Sequence, residues 1–288
     1  MRNIENILLA IDFSQASKDA LKMAVFLAGK NRSRIHLLHV VPRLPGWTID
    51  QSAILLEAEG MLAEYVEELR QGGVSETQAV ALFGNPLEEI VGRANSLDAN
   101  VIMIGSGEKD KGDRFPLGIT AENIIRSSSR PVWVVKRGAL PGIRRILCPV
   151  DFSEHSRRAL INAVDLSRMF GAELLVLTVA EKVPSVYRGM ALPAANVQAD
   201  WERHVSKELD NFLGGLDFDG ITWNKALLIG KPHEEVLKAA AESGADLIVM
   251  GSLGRMGLAR ILMGSVAEKI ARELPCSLIM MKSQDLVE

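Results

Sequence analysis

The sequence predicts an α/β fold built from two tandem, doubly wound parallel sheets of about five strands each. The first observation behind this prediction is the length of 288 residues, which is close to two average domains. The second is a set of similar segments that recur in the same order in both halves. The third is the alternation of short, wholly apolar runs with stretches of helical periodicity, which is typical of strands covered by helices on both faces.

An internal repeat divides the chain into two copies. The segment ILLAIDFS at residues 7–14 matches ILCPVDFS at residues 146–153, an offset of 139 residues. Two later matches share an offset of 146 residues, one of them between residues 101–106 and 247–252. This period is far longer than that of solenoid repeats, so each copy is a whole domain. We place domain 1 at residues 1–137 and domain 2 at residues 144–288, joined by a short segment rich in Gly and Pro.

The elements of the second copy follow one another in order. The run at residues 146–150 is apolar throughout and predicts the first strand. A helix follows at residues 154–169, because apolar side chains recur there three to four positions apart. The same two patterns then alternate. They predict strands at residues 174–180, 221–228, 247–250 and 277–281, and helices at residues 200–213, 232–242 and 265–274.

Composition excludes several classes of protein. The 33 basic and 36 acidic side chains give a net charge of −3, without the basic excess of a nucleic-acid or anionic-membrane surface. The longest apolar runs are shorter than the roughly 18 residues that cross a bilayer, so we expect no membrane association. No secretory signal is visible, which favours the cytoplasm. Cys148 and Cys276 lie in or beside apolar runs, which favours buried thiols over a redox or metal-binding pair.

The fourth strand of the second copy leads into the segment that carries the most chemistry. Gly251 and Gly254 follow one another closely, and Gly264 and Ser265 open the next helix nine residues later. Such glycines let a backbone approach a polyphosphate and adopt positive φ angles, and a helix start offers free N–H groups to an anion. Asp151 ends the first strand and is expected to face the same crevice.

Each of these residues also has a purely structural interpretation. Ser265 with Glu268 fits a capping box, which needs no ligand. Asp151 with Ser153 fits a helix start capped by side chains. The glycines are also compatible with ordinary turns. Their common position at the carboxyl ends of strands favours a binding site.

The strand-end aspartate, together with the G-x2-G-x9-G-S pattern, resembles the ATP-binding form of the universal stress protein family, in two tandem copies. The resemblance implies a five-stranded, Rossmann-like parallel sheet of order 3-2-1-4-5 in each copy. It also implies that the two copies form a pseudo-twofold pair through their fifth strands, at residues 132–135 and 278–281. Further expectations are a possible homodimer, an unidentified protein partner, and ATP, with or without Mg²⁺, as the bound cofactor.

The resemblance also implies a role for individual residues of the second copy. Asp151 would lie beside the adenosine end of ATP, and the backbone of Val179 would meet the adenine. Arg255 and Arg260 would cover the phosphates, although solvated surface charges explain them equally well. The full set of expected nucleotide-binding residues is Pro149, Asp151, Val179, Met250, Gly251, Gly254, Gly264, Ser265 and Val266.

The first copy departs from this pattern. Glu108 stands where the second copy has Gly254, and Ile119 stands where it has Ser265. A carboxylate repels a triphosphate, and Ile119 offers no hydroxyl. Gly107 offers a shifted register, and nearby basic residues offer partial compensation. We still predict that the first copy binds ATP weakly or not at all.

Three functions are compatible with these residues. The first is a nucleotide-binding regulatory module of the stress response, favoured because no paired general base and nucleophile accompanies the glycines. The second is a slow ATPase in which Asp151 or His155 assists a metal ion or water. The third is a dimerisation scaffold that binds no nucleotide.

Overall fold

A computed structural model of the chain describes residues 1, 3–43, 51–107, 117–182, 194–254 and 263–282. In both domains strands and helices alternate as the sequence predicts. Domain 1 consists of β1 (Asn6–Ala10), α1 (Gln15–Asn31), β2 (Arg34–Pro42), α2 (Gln51–Gln71), β3 (Thr77–Gly84), α3 (Pro86–Ser96), β4 (Val101–Gly105), α4 (Ile119–Ser127) and β5 (Val132–Val135). Domain 2 consists of β6 (Arg145–Pro149), α5 (Glu154–Phe170), β7 (Glu173–Ala180), α6 (Ala194–Leu213), β8 (Trp223–Ile229), α7 (Pro232–Ser243), β9 (Leu247–Gly251), α8 (Ser265–Glu273) and β10 (Ser277–Met281).

The ten strands form one continuous sheet in the order β3-β2-β1-β4-β5-β10-β9-β6-β7-β8. Each half therefore has the order 3-2-1-4-5 and is parallel throughout, which confirms the expected topology. The order reverses between the first and fourth strands of each domain, β1 and β4 or β6 and β9. A ligand crevice is expected outside the carboxyl ends of such strands.

The two halves join through an antiparallel pair formed by β5 and β10. Trp133 of β5 lies directly opposite Ile279 of β10, and these residues are equivalent in the repeat at the offset of 146. The predicted pseudo-twofold pair of domains is therefore present within one chain. The pairing also covers two apolar edge strands that would otherwise be open to aggregation.

Two hydrophobic cores, one on each face of the sheet, run through both domains. One lies under α1, α2, α5 and α6 and the other under α3, α4, α7 and α8, and each contains buried side chains of both halves. Trp133 is fully buried, with its ring centroid 6.5 Å from that of Phe170 of α5. Phe170 also stacks on Phe26 of α1. The domains thus share their apolar interior across the β5–β10 junction, which we call the seam.

The boundaries of some elements differ from the prediction. α6 begins at Ala194, six residues earlier than the periodicity indicated, and β8 begins at Trp223 instead of residue 221. Residues 214–222 form a connection in which Phe218 stacks on Trp223, with ring centroids 4.1 Å apart. The apolar residues before Trp223 pack within this connection and do not belong to the strand.

Both cysteines are buried free thiols, as predicted. Burial raises the pKa of Cys276 to about 12 and that of Cys148 still further, so neither is a thiolate at neutral pH. Within the described part of the chain, no three His, Cys, Asp or Glu side chains are grouped so that they could hold a metal ion. No helix in that part is long and apolar enough to span a membrane.

Candidate functional site

The turn after β6 fixes the carboxylate of Asp151. Its Oδ1 accepts hydrogen bonds from the backbone N–H of Ser153 at 3.1 Å and from the Ser153 hydroxyl at 2.6 Å. The same hydroxyl oxygen accepts the backbone N–H of Ser156 at 3.2 Å and caps α5. Phe152 between them has a φ of +66°, a left-handed conformation that is uncommon for a residue with a side chain. The capping interpretation of Asp151 and Ser153 is thus correct, and it holds the carboxylate at the strand end.

Gly254 lies against this carboxylate. A Cβ placed on Gly254 would stand 2.7 Å from Asp151 Oδ2, a separation that real Cβ atoms do not adopt. A side chain at position 254 would therefore displace the Asp151 carboxylate from its present position. Two residues that lie 103 positions apart in the chain are in contact, as a shared binding crevice requires.

Gly264 closes the base of the loop between β9 and α8. Its backbone N–H donates to the carbonyl of Ser252 at 2.8 Å. A Cβ on Gly264 would lie 3.5 Å from that carbonyl oxygen and 3.6 Å from the backbone nitrogen of Gly254, so the two ends of the loop are in close contact. The residues in the middle of the loop, including Arg255 and Arg260, lie outside the described residues.

Gly251 has a packing role that the sequence did not predict. A Cβ on it would lie 2.9 Å from Cβ of His155 and 3.0 Å from the backbone carbon of that residue. The absence of a side chain at Gly251 lets α5 pack directly on the end of β9. The expectation of positive φ angles at Gly251 and Gly254 is wrong, since neither adopts one. Both positions need glycine because neighbouring atoms approach the backbone closely, and not because the backbone is left-handed.

The start of α8 contradicts the capping-box interpretation. Gly264, which has no side chain, is the N-cap, and Ser265 is the first helical residue, so Ser265 and Glu268 are each one position too late for a capping box. Glu268 instead accepts from Arg126 at 3.1 Å and from Arg272 at 2.9 Å. The N-cap residue of α8 therefore offers the first N–H groups no side-chain acceptor, whereas Ser153 offers one to those of α5. Uncapped N–H groups and the helix dipole favour an anion at this position.

The other expected nucleotide-binding residues occupy two different environments. Pro149 pairs with Leu177 of β7, and the Thr178 hydroxyl donates to the carbonyl of Val150 at 3.0 Å, so Asp151 and Val179 follow these contacts at the same edge of the sheet. Val179 is half-buried there. Val266 is half-buried and packs against the core beneath α8. Met250 is only 5% exposed and belongs to the same core, which places it behind the crevice.

His155 has the features of a packing residue more than those of a catalyst. It lies in the first turn of α5 against Gly251, and its Nε2 is buried without a hydrogen-bond partner in the described structure. A general base needs contact with the water or hydroxyl that it deprotonates. The position of His155 therefore does not support the ATPase hypothesis.

Domain 1 repeats the frame of this site. Asp12 Oδ1 accepts the backbone N–H of Ser14 at 3.1 Å and its hydroxyl at 2.5 Å, and Phe13 has a φ of +62°. The loop after β4 closes through the N–H of Gly118, which donates to the carbonyl of Ser106 at 2.9 Å. Gly105 packs against α1 as Gly251 packs against α5.

The phosphate end of domain 1 differs from that of domain 2. Ile119 opens α4 and is 82% exposed, so an apolar side chain projects from the helix start where domain 2 has a serine. Gly107 has a φ of +95° and lies beside Gly118. Glu108 and the basic residues Lys109, Lys111 and Arg114 lie outside the described residues.

Sequence reasoning missed a group of charged residues at the seam. Glu122 and Arg126 of α4 contact Glu268 and Arg272 of α8, and we call these four residues the four-charge cluster. The repeat offset of 146 could have revealed them, because it pairs Glu122 with Glu268 and Arg126 with Arg272.

A cavity of about 540 Å³ lies elsewhere at the seam, between the ends of α1 and α5. Its charged groups are already paired. Asp165 binds the amino group of Met1 at 3.0 Å, and Arg168 donates to the carbonyl oxygens of Asp217 and Asp219. The cavity does not overlap the crevice at the strand ends and offers no comparable set of donors.

Comparisons with known proteins match both halves of the chain. The profile described as "Universal stress protein family" matches residues 3–136 and 142–282. Universal stress protein E of Photorhabdus laumondii is 22% identical over 98% of this chain and 96% of its own length. A shorter universal stress protein of Methanocaldococcus jannaschii is 32% identical over 48% of this chain and 82% of its own length. The crystal structure of a universal stress protein from Archaeoglobus fulgidus shares the fold, with a TM-score of 0.72, 24% identity and coverage of 96% of this chain and 98% of its own.

Proposed function

The chain belongs to the universal stress protein family as a tandem two-domain member, and on this premise we propose that domain 2 binds ATP as a regulatory module of the stress response. The observation that carries the proposal is the contact between Gly254 and the carboxylate of Asp151. It joins the strand end and the glycine loop into one crevice, and a side chain at position 254 would displace the carboxylate.

The residues of the crevice fit the parts of the nucleotide. The N–H groups at the start of α8, from Ser265 and Val266, would receive the phosphates, aided by the helix dipole. Asp151, with one oxygen held by Ser153, would accept hydrogen bonds from the ribose hydroxyls. The backbone of Val179, at the same edge of the sheet, would meet the adenine. Mg²⁺ would be held mainly through the phosphates and water, as is usual for this ion.

A binding role agrees with the chemistry of the described residues better than turnover does. The carboxylate of Asp151 is committed to a helix-capping turn, and Nε2 of His155 is buried. We therefore propose a nucleotide-dependent switch or docking module in the cytoplasm, acting on a protein partner and capable of homodimer formation. Slow ATP hydrolysis at the same site and a nucleotide-free scaffold are the two alternatives.

ATP titration by calorimetry tests the site. Gly254→Glu places both a side chain and a negative charge beside the phosphates, and it should weaken ATP binding by about 100-fold or more. Gly254→Ala isolates the steric effect on Asp151 and should cost about tenfold. Gly60→Glu is the matched control, because no atom lies within 4 Å of a Cβ there and the site is on α2. ATP affinity in Gly254→Glu equal to that of the unmodified chain would refute the proposed site.

Two further measurements separate the alternatives. Nucleotide released from the denatured, freshly purified chain should be an adenine nucleotide, and a scaffold would release none. Phosphate release should be measured with Mg²⁺ in the unmodified chain and in Asp151→Ala. A turnover that depends on Asp151 would establish the ATPase alternative in place of a pure binding module.

A further inference from the structure

The four-charge cluster joins the two helices that begin at the glycine loops. Glu122 Oε1 accepts from Arg126 at 2.9 Å and from Arg272 at 3.2 Å. Glu268 accepts from the same two arginines, at 3.1 Å and 2.9 Å. Charges of opposite sign therefore alternate around the cluster, with two contacts inside a helix and two across the seam.

The cluster follows the internal symmetry of the chain. In each helix a glutamate precedes an arginine by four residues, the spacing that places both on one helical face. The side chains are partly buried, with exposed fractions from 22% to 39%. Burial opposes the ionisation of Glu122, but the hydrogen bonds from Arg126 and Arg272 outweigh it and hold the pKa of Glu122 below its ordinary value. Glu122 is therefore ionised at neutral pH.

The position of the cluster relates it to the proposed nucleotide site. α8 has only nine residues, and Glu268 lies about one turn from the N–H groups of Ser265 and Val266. A short helix of this kind changes the direction of its first N–H groups when it rotates or shifts. Partly buried ion pairs are weak evidence for stability, because desolvation offsets their attraction, but the two cross-domain contacts do join α8 to α4. α4, which holds the other half of the cluster, belongs entirely to domain 1.

We infer that domain 1 positions the phosphate-binding helix of domain 2 through the four-charge cluster. Glu122 and Arg126 are positioning residues: they contact α8 and not the ligand, and they fix the direction of the N–H groups that meet the phosphates. The inference rests on the proposed function of domain 2. It also gives domain 1 a role in nucleotide binding that does not require a ligand of its own.

A charge-swap cycle measures this coupling. One variant exchanges the charges on α4 (Glu122→Arg with Arg126→Glu), a second exchanges those on α8 (Glu268→Arg with Arg272→Glu), and a third combines both. Each single swap preserves net charge and the pair inside its helix but places like charges across the seam. The combined variant restores alternating charges. ATP affinity is measured by calorimetry at a temperature where circular dichroism shows every variant fully folded.

The swap on α4 should weaken ATP binding by about 3- to 10-fold, although it changes no residue of domain 2. In the background of the α8 swap, the same exchange should restore affinity by a similar factor. High salt should reduce both effects, because it screens the cross-seam contacts. A merely structural role would lower the midpoint of thermal unfolding without changing the affinity of the folded protein.

The matched control exchanges Glu67 and Arg70 on α2, an exposed pair of domain 1 that lies far from the seam, and should leave affinity unchanged. An α4 swap that binds ATP within twofold of the unmodified chain overturns the inference, while loss of binding in Gly254→Glu shows that the proposed function stands. If the unmodified chain binds no ATP, both the inference and the proposed function are wrong.

Discussion

In both domains an Asp-Phe-Ser turn follows the first strand and a glycine packs the fourth strand against a helix. In domain 2 a further glycine, Gly254, lies beside the carboxylate, whereas the equivalent position in the sequence of domain 1 is Glu108. Gly105 and Gly251 are required by Ala16 and His155, which lie in helices, whereas Gly254 is required by Asp151. The frame of the crevice is therefore maintained by packing in both copies, whether or not a ligand binds. The difference in chemistry lies at two other positions, where Gly254 and Ser265 of domain 2 correspond to Glu108 and Ile119 of domain 1.

The largest effect is expected at the seam that the domains share. Trp133→Ala removes a fully buried side chain that contacts both halves and should cost about 3–5 kcal/mol of unfolding free energy. Urea unfolding should remain a single transition, followed by fluorescence and by circular dichroism. Trp201→Ala on α6 is the control, since Trp201 is 39% exposed and should contribute little. Two separate transitions in the unmodified chain would show that the domains fold independently.

The packing glycines provide the next comparison. Gly105→Ala and Gly251→Ala each force a methyl group into a neighbouring helix and should cost about 2–3 kcal/mol of unfolding free energy. The cost should be larger at Gly105, where the nearest backbone atom is 2.6 Å from the added carbon. Gly92→Ala in α3 meets no atom within 4 Å and should be neutral or slightly stabilising. Equal stability of all three variants in urea would contradict the packing role.

The equivalent lysines after β5 and β10 allow a comparison by pH. Lys136 Nζ donates to the carbonyl of Pro275 at 2.7 Å, and Lys282 Nζ donates to that of Arg126 at 3.3 Å. Burial, together with the charge of Arg126, lowers the pKa of Lys282 to about 8. The unfolded chain then binds more protons than the folded chain between pH 8 and the ordinary lysine pKa of about 10.4, so this residue makes stability rise with pH over that window.

Lys282→Met should therefore raise the unfolding free energy at pH 7 by about 1–2 kcal/mol and remove this rise between pH 8 and 10. Lys136→Met should instead lower stability, because it loses the 2.7 Å hydrogen bond to Pro275. Urea titrations at several pH values measure both. A Lys282→Met variant that is less stable at pH 7 than the unmodified chain would show that its charged amine is well accommodated at the seam.

The smallest effect is expected from restoring the lost pattern in domain 1. Glu108→Gly with Ile119→Ser removes a carboxylate and an exposed apolar side chain from the loop and should strengthen nucleotide binding there by about tenfold. The measurement is made in a Gly254→Glu background, so that domain 2 does not contribute. Affinity unchanged by the two substitutions would mean that other parts of domain 1 have also lost the site.

The repeat and the period of the apolar residues were sufficient to predict the fold class and the two domains, while the strand order and the pairing of β5 with β10 were implied by the family resemblance. The distinct roles of Gly251 and Gly254 could not be read from the sequence, because each depends on a neighbour more than 90 positions away. Ser265 and Glu268 have the spacing of a capping box, yet Glu268 binds Arg126, which a local pattern cannot anticipate. The four-charge cluster likewise depends on how the two halves meet.

The central claim, that the domains have diverged into one nucleotide site and one supporting partner, is tested most directly by counting nucleotides. Native mass spectrometry of the chain with saturating ATP should show one nucleotide per chain in the unmodified protein. It should show none in Gly254→Glu. Two nucleotides per chain, or one that persists in Gly254→Glu, would contradict the claim.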